Sequence, residues 1–226
     1  MSEALERRME ARRRAELVSN LRRLARPAAG RAPVDRAGAN GDRPAEERCD
    51  LCGNEIPSRH RHLLHLTERR ILCACEPCLA LRSGDPELRP TGTRTTWLED
   101  FELSEELWAR FAIPIGLAVF MLDSVAGRTV AFYPSPAGPT ESELDLDAWE
   151  ELREANPVLA SLEPDVESLI VNRIARPPEQ VIVPIDECYR LVGMIKACWD
   201  GITGGAGPEQ AIERFFAEQR RRGAAG

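Results

Sequence analysis

The chain has 226 residues, 43% of them hydrophobic and 30% charged, with a formal net charge of −7. That balance allows a packed core over most of the length, and with no apolar run of 18 residues it excludes a spanning helix. Charge is uneven: residues 1–48 carry 12 arginines against 8 acids, whereas residues 83–226 carry a surplus of 12 acids, which points to separate units.

Residues 1–26 predict a basic helix rich in Ala, Leu, Glu and Arg. Its apolar stripe, Leu5, Met9, Leu17, Leu21 and Leu24, is thin, and alone such a helix is marginal in water. The opening MSEALERRMEARRR has neither the apolar stretch nor the cleavage motif of a secretory signal, so the expected compartment is the reducing cytoplasm. Residues 27–46 combine Pro, Ala, Gly and charge and predict a flexible linker. Only one of the 30 basic residues is lysine, an arginine bias of the kind a GC-rich genome produces. The basic front is therefore not read as a nucleic-acid signal.

Residues 47–82 predict a zinc-ribbon-like metal module. CDLCGNEIPSRHRHLLHLTERRILCACEPC, residues 49–78, holds five of the seven cysteines and all three histidines. A C-x-x-C turn sets two thiolates about one ion and lets backbone N–H groups stabilise the sulfur charge. Two such turns, Cys49/Cys52 and Cys75/Cys78, supply the four ligands of a tetrahedral site. HRHLLHL and RRILCAC predict strands turned by TERR, which brings the second C-x-x-C beside the first. Cys73, two residues before Cys75, could replace it or act as a redox thiol, and His62 could also replace a cysteine. His60 and His62 share one strand face and His65 takes the other, where the rings are expected to cover the hairpin. Zinc is the expected ion, with a single iron or an iron–sulfur cluster as alternatives. A module this small cannot fold on apolar burial alone, and structural zinc supplies roughly 10–16 kcal/mol.

A polar connection, RSGDPELRPTGT, leads to an acidic α+β domain over residues 94–222, expected as an antiparallel sheet with packed helices. TRTTWLEDFEL predicts a strand running to Ser104, the N-cap of a helix EELWARF. IGLAVFMLD and RTVAFYPS predict a hairpin across SVAG. Asp147 is the expected cap of AWEELREA, which stops before Asn156-Pro157. SLIVNRI and QVIVPI predict a second strand pair across ARPPE. Asp186 is the expected cap of a helix whose Cys188, Leu191, Val192, Ile195 and Trp199 share one apolar face, ending at Gly201. A last helix starts at Pro208 with Ile212, Phe215 and Phe216 inward.

Four further features have blander roles. YPSPAGPTES reads as a connection between elements, and WDGITGGAG lacks the GxxxxGK[ST] pattern of a phosphate loop. Cys188 and Cys198 read as core residues. Asp123, Asp186 and Glu187 have no histidine or serine nearby in a pattern that argues for a catalytic group, and every imidazole lies in the metal module, which weighs against acid–base catalysis.

CDLCG, HRHLLHL, RRILCACEPC, IPIGLAVF, AFYPSPAGPTES, DVESLIVNR, PIDECYRLVG and W-x-G-x-x-GG, in that order, resemble a bacterial family of unassigned function. The resemblance spans roughly residues 47–220. That family's genes are typically found in clusters for nickel–iron uptake hydrogenases. What the resemblance implies is a cytoplasmic accessory protein whose partner is a hydrogenase subunit or maturation factor. It implies no catalytic residues. A rubredoxin-like electron carrier is the alternative, and a zinc-ribbon nucleic-acid-binding protein, disfavoured by the net charge, is the second.

Overall fold

The computed structural model describes residues 47–135, 138–200 and 205–223, and the chain divides into two compact units between Pro90 and Thr91. The helix expected over 1–26, the linker over 27–46 and the glycine-rich stretch at 201–204 lie outside the described residues. Among those described, no helix is long and apolar enough to cross a membrane.

In the first unit, β1 (Glu47–Arg48) and β2 (Glu55–Ile56) form a short ladder around the first C-x-x-C. β3 (Arg61–His65) and β4 (Arg70–Ala74) make a hairpin with Leu63 opposite Leu72. Helix α1 (Glu76–Arg82) follows, and β5 (Leu88–Pro90) returns along the other side of β3 to give the order β4-β3-β5. The sequence placed β5 in a polar connection. Its Pro90 is tolerated because the strand lies at the sheet edge, where a missing donor breaks no ladder. Leu88 joins Leu63, Leu72, Ala74 and Leu79 in a small buried cluster.

The second unit is built on one six-stranded antiparallel sheet. Its strands are β6 (Thr96–Leu98), β7 (Leu117–Asp123), β8 (Arg128–Ser135), β9 (Gly138–Ser142), β10 (Glu167–Asn172) and β11 (Glu179–Pro184). Their order is β6-β11-β10-β7-β8-β9. Strand side chains alternate between faces, yet Leu117, Ala118, Val119, Phe120 and Met121 are all buried. Both faces are therefore covered, which is why LAVFM reads as a continuous apolar run. One face packs helices α2 (Glu105–Arg110) and α3 (Leu146–Ala155) and the 3-10 turn Pro157–Ser161, with Phe111, Phe120, Trp149 and Leu169 in a common core. Helices α4 (Ile185–Ala197) and α5 (Gly207–Gly223) pack on each other; α4 lies against β10 and β11, and α5 against β6 and β11. Their Leu191, Ile195, Ile212, Phe215 and Phe216 are buried, as their spacing predicts.

Several boundaries differ from the sequence reading. YPSPAGPTES is not a plain connection, because residues 138–142 form β9 and pair with β8, Pro134 opposite Pro139. Pro139 fits there because β9 is the outermost strand, and Pro134 because it lies beyond the residues of β8 that pair with β7. Ser104 caps α2 through its hydroxyl, which accepts from Leu107 N–H at 3.1 Å. Asp145, not Asp147, caps α3 by accepting from the N–H groups of Asp147 and Ala148. α4 begins right after Pro184, so Asp186 lies in its first turn, where a negative charge complements the helix dipole. The helix ends at Ala197, short of the predicted Gly201.

β6 ends at Leu98, short of the expected Ser104, and Asn156, 4% exposed, fastens the loop that follows to the end of α3. Its amide oxygen accepts from Glu102 N–H, and its amide nitrogen donates to the carbonyls of Glu102 and Leu152, at 2.8–2.9 Å. Asn156→Leu keeps the bulk but leaves three backbone groups without this partner. It is expected to cost about 2–3 kcal/mol in urea unfolding. A cost below about 0.5 kcal/mol would mean that water takes over the bonds.

Candidate metal centre

The local backbone places the cysteines in pairs. In the first turn, Cys49 N–H donates to Asn54 O and Gly53 N–H donates to Cys49 O, both at 2.8 Å. Gly53 closes that turn at φ +74°, a left-handed conformation that glycine adopts without strain. In the second turn, β4 ends at Ala74 and Cys75 becomes the N-cap of α1, with Pro in the first turn, so Cys78 follows within it. Asp50 joins the two turns: its N–H donates to Cys73 O at 2.8 Å and its carboxylate accepts from Cys73 N–H at 2.7 Å.

The sulfurs of Cys49, Cys52, Cys75 and Cys78 lie within 4.8 Å of one another, and Cys52 and Cys75 are 3.6 Å apart. Tetrahedral zinc thiolate, with bonds near 2.3 Å, requires about 3.8 Å between sulfurs. These four residues could therefore hold a metal ion, and four soft donors, with no fifth ligand grouped with them among the described residues, suit zinc or iron. The charges are arranged to the same end. Burial pushes the Cys49 thiol up, but the amides of Cys75, Cys52 and Leu51 donate to the sulfur and prevail, bringing it from 9.0 to about 6. The Cys75 and Cys52 sulfurs, desolvation and the charge at Cys49 hold the Cys78 thiol at about 12. At Cys52 the Asn54 amide pulls the thiol down, while desolvation and the Cys49 and Cys75 sulfurs push it further up, and it ends above its ordinary value. The Cys49 thiol is thus the readiest to ionise, and a cation favours ionisation of Cys52 and Cys78.

A consequence is measurable. Zinc uptake by the metal-free protein at about pH 7.5 should release at least two protons per ion, one each from Cys52 and Cys78. Protons compete with the ion for these sulfurs, so affinity should fall as the pH is lowered. A pH-indicator titration in weak buffer reads both, and uptake without proton release would contradict the assignment.

The remaining candidates fall elsewhere. Cys73, His62 and His60 are not in the four-sulfur group; they form a second one of their own, within 4.8 Å of one another. The sequence reading makes Cys73 a replacement for Cys75 or a redox thiol, and His62 a replacement for a cysteine of the first group. The pointer it held was His-x-His at 60–62, one strand across a hairpin from Cys73. His65 turns into the hairpin bend, where its Nδ1 accepts from Glu68 N–H at 3.3 Å. Cys188 is buried and its thiol is pushed to about 12 by that burial, as befits a core residue. Cys198 is half-buried, its thiol donating to Met194 O at 2.9 Å. Asp123 binds the N–H groups of Val125 and Ala126 in the β7–β8 turn. Glu187 gathers Arg190, Gln219 and Arg222, tying α4 to α5.

A family model described as "Family of unknown function (DUF5947)" matches residues 48–223. No curated protein and no solved structure matches the chain.

Proposed function

The chain belongs to this family of unknown function, and from that premise we propose that it is an accessory protein stabilised by one structural zinc ion. In this reading Cys49, Cys52, Cys75 and Cys78 hold the ion, and the protein serves the assembly, maturation or function of a nickel–iron hydrogenase through protein–protein contact. The observation that carries the metal role is the closed group of four sulfurs. Four thiolates fill a tetrahedral shell and leave no position for a substrate, which suits a structural ion better than hydrolytic catalysis. The hydrogenase role is supported by the resemblance of the sequence motifs to a family encoded beside such enzymes.

Two measurements test the two halves separately. Anaerobically purified protein should retain one tightly held zinc per chain after dialysis against a weak chelator, and show no visible colour. Iron with thiolate charge-transfer bands would replace this reading with a rubredoxin-like electron carrier. A tagged full-length chain, expressed in cells making the hydrogenase, should capture a hydrogenase subunit or maturation factor. Capture of neither would remove the hydrogenase role and leave the zinc untouched.

A further inference from the structure

The second group lies on the opposite face of the β3–β4 hairpin from Leu63 and Leu72. His62 stands directly across the ladder from Cys73, and alternation puts His60, two residues earlier, on the same side. The two imidazoles meet edge to face, with centroids 4.7 Å apart. His62 and Cys73 are partly exposed, so the group is reachable from solvent on their side, while the His60 ring is buried behind them.

The His60 ring is held in a particular way. Its side chain is only 7% exposed. Nδ1 faces Pro57 O at 2.9 Å and the Glu47 carboxylate at 3.2 Å. A ring that donates from Nδ1 carries its lone pair on Nε2, and Nε2 is buried with no hydrogen-bond partner. A buried acceptor left empty is unfavourable. This is the arrangement of a metal-ligating histidine, whose second nitrogen donates to a carbonyl or carboxylate that fixes its tautomer and orientation. Cys73 is fixed in turn by the Asp50 clamp on its own backbone.

We propose that His60, His62 and Cys73 form a second site, for a borderline divalent transition metal, with one coordination position left for an exogenous ligand. Two neutral imidazoles and one thiolate suit zinc, cobalt, nickel or copper(II) better than a hard cation. Three protein ligands are the pattern of an open site, in contrast to the closed four-sulfur group. Ligand atoms about a tetrahedral ion with these bond lengths lie about 3.3–3.6 Å apart. The present spread of up to 4.8 Å therefore closes by small side-chain rotations. Asp50 lies between Cys49 and Cys52 and grips Cys73. Ordering the first site thus positions one ligand of the second, and the four-sulfur group fills first. The proposal depends neither on a hydrogenase partner nor on which ion fills that group.

The test uses the full-length chain, loaded with one equivalent of zinc and titrated anaerobically with cobalt(II). Zinc outcompetes cobalt at four thiolates, so the added cobalt reports on the second site. One further equivalent should bind, with a thiolate-to-cobalt charge-transfer band and pseudotetrahedral d–d bands that shift on adding imidazole. Cys73→Ser should remove the charge-transfer band. His60→Gln and His62→Gln should each weaken cobalt binding at least tenfold, and Glu47→Gln should weaken it about tenfold through the His60 ring. All four variants should still hold the first zinc, which checks their folding. If Cys73→Ser fails that check, the histidine variants decide. A zinc-loaded protein that takes up no cobalt, or binds it identically in the variants, would overturn the proposal. A spectrum indifferent to imidazole would overturn the open position.

Discussion

Cys52→Ser should release the ion from the four-sulfur group and unfold residues 47–90, while residues 91–223 keep their own unfolding transition. The first unit has little else to hold it: its buried cluster is four leucines and an alanine, with Leu51 packed against it. Burying a leucine contributes about 1.5–3 kcal/mol, whereas ordering each residue costs about 1–2 kcal/mol. A structural zinc site contributes roughly 10–16 kcal/mol, and serine lacks the thiolate on which that depends. Metal analysis after dialysis against a chelator should show zinc falling toward zero. Limited proteolysis should then cut between Arg59 and Arg82 in the variant and spare the native protein. Cys198→Ser, in the second unit, should leave zinc and protection unchanged. A Cys52→Ser protein that keeps both its zinc and its protection would mean that another residue is the ligand.

Trp149→Ala should cost about 3–5 kcal/mol in urea unfolding of the second unit. Trp149, 1% exposed, stacks on Phe120 with centroids 5.5 Å apart and planes 18° from parallel, and Phe120 in turn meets Phe111 edge-on at 5.1 Å. These rings join α3 to the middle of the sheet, so alanine leaves a void that neighbouring elements cannot close without moving. Trp149→Phe should cost far less, about 1 kcal/mol, because stacking survives and a buried indole N–H without a partner is removed. A double-mutant cycle with Phe120→Leu should give a coupling of about 0.5–1.5 kcal/mol. A phenylalanine variant as unstable as the alanine one would show that the indole N–H is bonded to water.

The legible parts of the sequence were those with local causes. C-x-x-C spacing is a property of a few residues, so the pairs Cys49/Cys52 and Cys75/Cys78 could be read directly. The hairpin across Ser124–Gly127 and the helix bearing Leu191 and Ile195 carry strong periodicities and appear where expected. Four strands escaped notice: β1 and β2 are two residues each, too short to show a pattern, and β5 and β9 are edge strands containing proline, which composition alone cannot separate from loops. The grouping of His60 and His62 with Cys73 was hidden for a different reason. It depends on which residue of β3 faces which residue of β4, and a slip of one position would send Cys73 to the other face.

The two rims of the six-stranded sheet bear on how this protein can be gripped. Along β9, Pro139 removes a donor that an incoming strand would need. Along β6, the end of α5 lies so close that a methyl group on Gly223 would come within 2.9 Å of the Trp97 backbone nitrogen, and Arg220 sits 4.4 Å over the Trp97 ring. One border is chemically blunted and the other physically occupied. Both borders therefore disfavour a partner that extends this sheet with its own backbone, and favour one that reads the molecule through side chains.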